Sequence, residues 1–284
     1  MRSVVVTGAS TGIGRATARM LAGKGVHVFG SVRKAPDAAA LKAELGESFT
    51  PLVFDVVDEG AVGAAAQSVR AALNGQRLAG LVNNAGIAVG GPLTDVPIAD
   101  FRKQMEVNVT GPMIVTQAFL PLLGTDRSLH GAPGRIVNIT SVAGKMGAPF
   151  VGPYTASKHA LEGLSECLRR ELMFYGIDVI MVAPGHIATP IWDKAEEVDP
   201  TPYRHLDIFP VLKKFQDFFV AEGRKGYPPE RVAAVVHEAL TAARPKTRYP
   251  LVPGHLQNWT IPRLLPKRTV DRIIARRLGL NRAS

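Results

Sequence analysis

The stretch Val4-Val5-Val6-Thr7-Gly8-Ala9-Ser10-Thr11-Gly12-Ile13-Gly14 decides the fold of this chain. Its three β-branched valines predict a short buried strand, and the apolar spacing that follows Gly12 predicts a helix. The glycines, spaced Gly-x-x-x-Gly-x-Gly, let the backbone turn tightly and bring the amides at the helix start close to a phosphate. A strand, a glycine-rich turn and a helix in this order are typical of dinucleotide-binding domains.

Short strands and helices alternate from this stretch to about residue 185. The later strands are predicted at 26–32, 52–54, 81–83, 135–139, 177–182 and 249–252, and two long helices at Phe101–Leu122 and Pro153–Phe174. This alternation predicts an α/β fold with a doubly wound parallel sheet, a Rossmann-like single domain. We place that domain at 1–255, with a substrate lid at about 188–226 and a basic tail at 256–284.

Further motifs follow the glycine-rich turn in a fixed order. They are Asp55, Asn83-Asn84-Ala85-Gly86, Asn108, Ser141, Tyr154-x-x-x-Lys158 and Pro184-Gly185. Each motif is weak evidence alone. Because all of them occur in this order, the chain resembles the short-chain dehydrogenase/reductase family from Val4 to about Thr189. A more diffuse likeness is to the steroid- and retinol-converting members. The resemblance implies hydride transfer between a nicotinamide cofactor and an alcohol or ketone carbon.

The candidate catalytic residues also follow from side-chain chemistry. Tyr154 and Lys158 are four residues apart at a helix start, so they share a face. A tyrosine with its ordinary pKa near 10 is a poor base at neutral pH, and we expect the lysine ammonium to lower that pKa. Ser141 follows a strand and can donate to the same substrate oxygen. The resemblance adds Asn108, which in the family holds a water that links the lysine to solvent.

Charge at the end of the second predicted strand bears on the choice of cofactor. NAD-preferring relatives carry an acidic residue there, which binds the ribose 2′-hydroxyl. Here the strand ends in Arg33 and Lys34, and a guanidinium suits a 2′-phosphate. We therefore expect NADP as cofactor; the alternative is that the two cations are merely solvated.

The resemblance assigns the remaining cofactor contacts. The glycine-rich turn and the cations are expected on the phosphates, and the other residues on the adenine, the riboses and the nicotinamide. The complete predicted set is Gly8, Ser10, Thr11, Gly12, Ile13, Gly14, Arg33, Lys34, Asp55, Val56, Asn83, Ala85, Gly86, Tyr154, Lys158, Pro184, Gly185, Ile187 and Thr189.

The predicted lid is rich in aromatic residues between prolines. Its apolar content suggests a bulky hydrophobic substrate of steroid or retinoid size. The alternative is that these aromatics only pack the lid against the core or form a subunit contact. His186, just before the lid, is expected to be a simple loop residue.

The tail carries most of the net charge of +10, since residues 245–284 hold nine Lys or Arg and one acid, Asp271. Val270, Ile273, Ile274 and Leu278 share one helical face, and we expect that face to dock on the body of the protein. The alternative is contact with an anionic membrane surface. Nucleic-acid binding is disfavoured, because only the charge is present and not a recognisable module.

Other features bound the possible function. The single cysteine, Cys167, excludes a disulfide within the chain, and we find no metal-ligand spacing. Neither a signal peptide nor a membrane span is visible, so we expect a cytoplasmic protein. By resemblance it forms a homodimer or homotetramer through the two long helices. A rival interpretation is a catalytically silent NADP-binding module that acts through partners.

Overall fold

Seven parallel strands form one sheet in the computed structural model, which describes residues 2–280. The strands are β1 (Ser3–Val6), β2 (His27–Val32), β3 (Phe49–Val53), β4 (Gly80–Asn83), β5 (Arg135–Ile139), β6 (Asp178–Pro184) and β7 (Arg248–Leu251). Their order is β3-β2-β1-β4-β5-β6-β7. The order reverses between β1 and β4, which opens the crevice where doubly wound sheets bind their ligands.

Helices cover both faces of the sheet. They are α1 (Gly12–Gly23), α2 (Ala35–Leu45), α3 (Glu59–Leu73), α4 (Ile98–Met105), α5 (Gly111–Leu120), α6 (Gly152–Leu172) and α9 (Pro229–Thr241). Val4 and Val6 point into a core shared with α1, α2 and α9, whereas Val5 points into a core shared with α3 and α5. This alternation buries both faces of β1, as expected in a parallel sheet. The predicted doubly wound fold is thus confirmed.

The first long helix differs from its prediction. α4 and α5 join through a π turn at Glu106–Thr110, and a second π turn at Pro121–Thr125 extends the helix beyond Leu122. Pro112 has no amide to donate to the Asn108 carbonyl, as a regular α-helix would require there. By length and composition Ile98–Thr125 could cross a membrane. Its apolar side chains, however, contribute to the core under the sheet, so it serves here as a core helix.

Beyond β6 the chain contains, besides α9 and β7, the segments predicted as the lid and the tail. The lid contains α7 (Ile191–Glu196) and α8 (Phe209–Arg224), and the tail contains α10 (Ile261–Leu264) and α11 (Lys267–Leu278). Ile274 and Leu278 of α11 pack with Leu212 and Phe215 of α8, so the predicted docking is present.

The predicted docking face of the tail is only partly right. Ile273 was placed on that face, yet 52% of its surface is exposed. Leu280, which the predicted face did not include, packs against the same cluster after Gly279 ends the helix in a left-handed turn. Arg282, the last cation of the tail, lies outside the described residues.

Candidate active site

The glycine-rich turn connects β1 to α1 with a conformation that requires glycine. Gly8 and Gly12 have φ of 65° and 54°, the left-handed region. A Cβ on Gly14 would overlap the Gly8 carbonyl oxygen. The Ser31 hydroxyl, near the end of β2, accepts the Gly8 N–H at 3.1 Å and so attaches the turn to the neighbouring strand.

The surroundings of this turn fit an anionic dinucleotide. The Thr11 side chain does not cap α1, and the first turn of the helix holds no acidic residue, so its amides are available to a phosphate. Arg33 and Lys34 are exposed directly after β2. Among residues 2–280 neither cation forms an ion pair with a carboxylate. The charge thus suits a nucleotide with an additional phosphate near the ribose.

A hydroxyl holds the loop after β4 against the glycine-rich turn. Thr7 Oγ1 accepts the N–H groups of Asn84 and Ala85 at 2.9 and 3.0 Å. The Asn84 amide donates to the carbonyls of Thr7 and Gly8 at 2.9 and 3.2 Å. The sequence argument left Thr7 and Asn84 out of the site, although both stand inside its motifs. Small polar residues at the ends of adjacent parallel strands were the available signal.

Asn83 faces the interior of the protein. Its amide nitrogen donates to Thr116 Oγ1 at 3.1 Å and to Asn138 Oδ1 at 2.9 Å, and Asn138 donates to Ser165. Any contact of Asn83 with a ribose would therefore come from its main chain. Gly86 is exposed beside the Asn108 side chain, whereas Ala85 is partly buried and packs against the core shared with α3 and α5.

The predicted catalytic side chains meet at the carboxyl ends of β5 and β6. Ser141 follows β5, and its hydroxyl accepts the Ala143 N–H at 3.1 Å and donates to the Pro184 carbonyl at 3.3 Å. Tyr154 and Lys158 lie on successive turns of α6. Lys158 Nζ donates to the Ile139 carbonyl at 2.9 Å and lies 5.7 Å from the centre of the Tyr154 ring. The three side chains can therefore act on one substrate oxygen.

The electrostatics of this group differ from the sequence expectation. Burial raises the pKa of Tyr154, and the neighbouring Ser141 hydroxyl pulls it in the opposite direction. Burial lowers the pKa of Lys158 to about 8, while the Glu162 carboxylate raises it. The pKa of Tyr154 is thus raised rather than lowered, contrary to the expectation from its spacing to Lys158. The lysine ammonium is engaged with a main-chain carbonyl, and desolvation of the phenol dominates.

Asn108 lies in the π turn and is almost fully buried. Its Oδ1 accepts the Ile87 N–H at 2.9 Å, and its Nδ2 donates to the Ile87 carbonyl at 3.0 Å and to Ser157 Oγ at 3.1 Å. An amide oxygen has two lone pairs, so Oδ1 retains an acceptor site. The role of Asn108 in holding a water stays a prediction.

Two residues that the sequence argument missed extend this network. Gln104 accepts the Val89 N–H at 2.6 Å and donates to the Ile87 carbonyl at 3.0 Å. Ser157 Oγ donates to the Tyr154 carbonyl at 2.7 Å. Together they tie the loop after β4 to the first turn of α6. A glutamine at a buried helix position was the only sequence signal.

A buried ion pair lies one turn beyond Lys158. Glu162 is 1% exposed and accepts hydrogen bonds from Thr140 Oγ1 at 2.9 Å and from the Arg248 guanidinium at 3.0 and 3.1 Å. Arg248 Nη2 also donates to the Ser141 carbonyl at 3.3 Å. The first residue of β7 thereby braces both the catalytic serine and the helix that carries Tyr154 and Lys158.

The predicted site residues in the segment after β6 do not all face the same surroundings. The Gly185 N–H donates to the Leu251 carbonyl at 2.8 Å, which joins the segment to β7. A Cβ on Gly12 would lie 3.3 Å from Thr189, so Thr189 stands over the glycine-rich turn. Ile187 packs its side chain into the core and its carbonyl accepts the Trp192 indole N–H at 2.6 Å. Within residues 2–280 its N–H donates to no main-chain carbonyl.

In the segment after β3, too, the two predicted site residues are placed differently. Asp55 is half-buried and its carboxylate accepts the Val57 N–H at 3.3 Å. The Val56 side chain is buried against Gly111 of α5. Of this predicted pair, Asp55 keeps a partly exposed carboxylate, and Val56 could contribute to a site only through its main chain.

Comparison with known proteins agrees with this geometry. Residues 2–199 match the short chain dehydrogenase family. The chain belongs to this family of oxidoreductases. It is 40% identical over 273 residues to an NADPH-dependent 3-dehydrocapnine reductase from Ornithobacterium rhinotracheale, covering 96% of each chain.

Two other relatives support the same assignment. The human dehydrogenase/reductase SDR family member 9 is 32% identical over 257 residues, covering 87% of this chain and 78% of the relative. The crystal structure of levodione reductase superposes with a TM-score of 0.75 at 28% identity, covering 91% of this chain and 98% of the other.

The lid of this dehydrogenase is held by stacked aromatic rings. His186 lies edge-on to Trp192 and Phe219, with centroids 5.6 and 5.3 Å apart, and Phe219 stacks on Phe215 at 5.1 Å. Burial lowers the pKa of His186. His186 is thus more than a simple loop residue, because it anchors the lid to the segment that follows β6. Packing of the lid accounts for much of its aromatic content.

Proposed function

We propose that the protein transfers a hydride between NADP(H) and the alcohol or ketone carbon of a hydrophobic substrate of steroid, retinoid or similar size. The observation that carries the proposal is the convergence of Ser141, Tyr154 and Lys158 at the edge of the sheet that also holds the glycine-rich turn. A bound nicotinamide at this edge supplies or accepts the hydride.

The side chains of the protein handle the accompanying proton. In the reductive direction the Tyr154 hydroxyl donates its proton to the carbonyl oxygen, and in the oxidative direction the phenolate removes it from the alcohol. Burial raises the pKa of Tyr154, so at neutral pH its hydroxyl holds the proton that reduction requires. Ser141 donates a hydrogen bond to the same oxygen. Protonated Lys158 stabilises the phenolate that remains after proton donation.

The preference for NADP over NAD rests on two observations. Arg33 and Lys34 lie exposed after β2, without carboxylate partners among residues 2–280. The relative from Ornithobacterium rhinotracheale, similar over nearly the whole chain, is named as NADPH-dependent.

The hydrophobic nature of the substrate is supported by exposed apolar side chains. Leu93 packs on Gly152, two residues before Tyr154, and remains 67% exposed. Ile191 follows Thr189, which lies over the glycine-rich turn, by two residues and is also exposed. Exposed leucine and isoleucine at these positions offer an apolar contact surface to a ligand.

We also propose a cytoplasmic homo-oligomer, for which the described surface gives one supporting feature. Met173, Phe174 and Tyr175, directly after α6, are all exposed. An exposed apolar patch of this kind suits a dimer or tetramer interface.

A panel of hydrophobic ketones, assayed with NADPH and the purified protein, tests the proposed activity. We expect alcohol formation, detected by mass spectrometry, and a loss of about 10² to 10⁴ in rate for Tyr154→Phe, because the proton donor is removed. NADPH binding should survive the substitution. If Tyr154→Phe retained the full rate, or if the wild type bound NADPH but reduced no ketone, the silent nucleotide-binding module would be the better interpretation.

A further inference from the structure

The tail presents apolar and cationic side chains side by side to solvent. We call this face, made of the exposed residues of Leu256–Leu264 and α11, the carboxyl-terminal surface. Leu264 is 79% exposed and Leu256 is 64% exposed, with Ile261 and Ile273 also in water. Its exposed cations are Arg263, Lys267, Arg268, Arg272, Arg276 and Arg277.

A buried tryptophan fixes the orientation of the first part of this surface. Trp259 is buried, and the guanidinium groups of Arg248 and Arg263 each lie 4.5 Å from the centre of its ring. The π turn Leu256–Thr260 and the following α turn place Leu256, Ile261 and Leu264 at spacings of five and three residues. Five residues across a π turn and three across an α turn each return near the same side of the helix. These apolar side chains therefore form one outward ridge.

In the second part of the surface, the docking of α11 on α8 leaves apolar and cationic side chains exposed to solvent. Ile274 and Leu278 of α11 are packed against α8, as described above. Ile273, Arg272 and Arg276 remain on the solvent side of the helix. The Arg277 guanidinium lies 5.4 Å from the ring of Phe218, another exposed apolar side chain.

The charge of this surface indicates the chemistry of its partner. Within residues 2–280, none of its six cations forms an ion pair with a carboxylate. Asp271 is the only acidic residue after Glu238. A second copy of the chain would bring the same positive charge, which opposes contact between two such surfaces. A row of exposed leucine and isoleucine side chains does not suit a nucleic-acid interface, because such interfaces are polar and strongly positive.

We propose that the carboxyl-terminal surface docks on a bilayer that contains anionic lipids. Leu256, Ile261 and Leu264 enter the boundary between head groups and acyl chains, while the cations face the lipid phosphates. The surface begins shortly after Leu251, whose carbonyl accepts the Gly185 N–H, so it adjoins the sheet edge that carries the active site. Docking of this kind requires no bound nucleotide or substrate.

Sedimentation with sucrose-loaded vesicles tests the proposal on the full chain. Vesicles of phosphatidylcholine alone are compared with vesicles that contain about one-third phosphatidylglycerol, at about 0.1 M salt. We expect strong binding to the anionic vesicles only, weakened as salt is raised. Leu264→Asp should weaken binding about tenfold or more. Neutralising Arg268, Arg272 and Arg276 to glutamine should weaken it about a hundredfold.

Matched controls keep the result specific. Val53→Asp changes an equally apolar exposed side chain at the far edge of the sheet, and glutamine at Lys24, Arg102 and Lys103 removes the same number of exposed charges elsewhere. Both controls should bind as the wild type does, and all variants should keep its melting temperature. The proposal is overturned if the wild type does not sediment with anionic vesicles, or if it binds duplex DNA and not the vesicles. It is also overturned if the control variants lose as much binding as the test variants.

Discussion

At the scale of single residues, burial controls the protonation of the candidate catalytic group. Tyr154 has a raised pKa and Lys158 a lowered one, because burial disfavours the charged form of each side chain. The sequence placed these side chains on one helical face, but it could not show how strongly burial would act on each pKa. Glu162 enters here as a buried counter-charge that the motif does not reveal.

The first residue-scale prediction concerns pH. Lys158, with a pKa of about 8, carries its charge below that pH and loses it above. Ketone reduction should therefore fall as pH rises through about 8, since the phenolate left by proton donation loses its neighbouring ammonium. Glu162→Gln removes the carboxylate that raises the pKa of Lys158, so the fall should begin at a lower pH.

The matched control for this prediction is Glu166→Gln, one turn further along α6. Glu166 pairs with Lys145 and Arg170 near the surface and is not a cause of the Lys158 shift. The measurement is kcat/KM for ketone reduction against pH for the three proteins. An unchanged profile in Glu162→Gln would contradict the role given to Glu162.

The second residue-scale prediction concerns Gly14. Alanine at this position would overlap the Gly8 carbonyl and distort the turn that approaches the phosphates. We expect Gly14→Ala to weaken NADPH binding by more than about tenfold, or about 1.4 kcal/mol. Gly23→Ala, in the same helix but with open space around it, should bind NADPH normally. Titration calorimetry on both variants decides the matter, and equal affinities would refute the steric account.

At the scale of elements, the helix from Ile98 to Thr125 shows what a sequence pattern omits. Its apolar residues predicted a helix, but that pattern does not show where the Gly111-Pro112 pair interrupts the regular hydrogen bonds. The π turn that results places Asn108 against Ile87 and Ser157. Those contacts join residues 21 and 49 positions away along the chain, and local spacing carries no information about them. The docking of α11 was predictable from its amphipathic pattern, but the exposure of Ile273 was not.

An element-scale prediction follows from the contact between α11 and the lid. Leu278 is buried with Phe150 and Phe215, so Leu278→Ala should destabilise the lid by about 2 kcal/mol, the low end for a buried leucine. Hydrogen exchange of the α8 amides should accelerate accordingly. Ile273→Ala, which removes an exposed side chain of the same helix, is the control and should leave exchange unchanged. Comparable exchange in both variants would show that α11 does not support the lid.

At the scale of the whole molecule, the strand order and the site share one cause. Alternating strands and helices predicted a parallel sheet, and such a sheet gathers the ends of β1, β4, β5 and β6 at one edge. The main elements and the convergence of Ser141, Tyr154 and Lys158 could therefore be predicted. Bracing contacts such as Thr7 with Asn84 could not, because they depend on the register between strands.

The central claim is that this edge binds a phosphorylated nicotinamide dinucleotide for hydride transfer. The most direct measurement compares the affinities of the purified protein for NADPH and NADH, in the wild type, in Arg33→Ala and in the control Lys24→Ala. We predict much tighter binding of NADPH, a preference that collapses in Arg33→Ala and persists in the control. If the two nucleotides bind equally and Arg33→Ala changes neither affinity, the assignment of the phosphate site is contradicted. If neither nucleotide binds, the proposed oxidoreductase activity is contradicted.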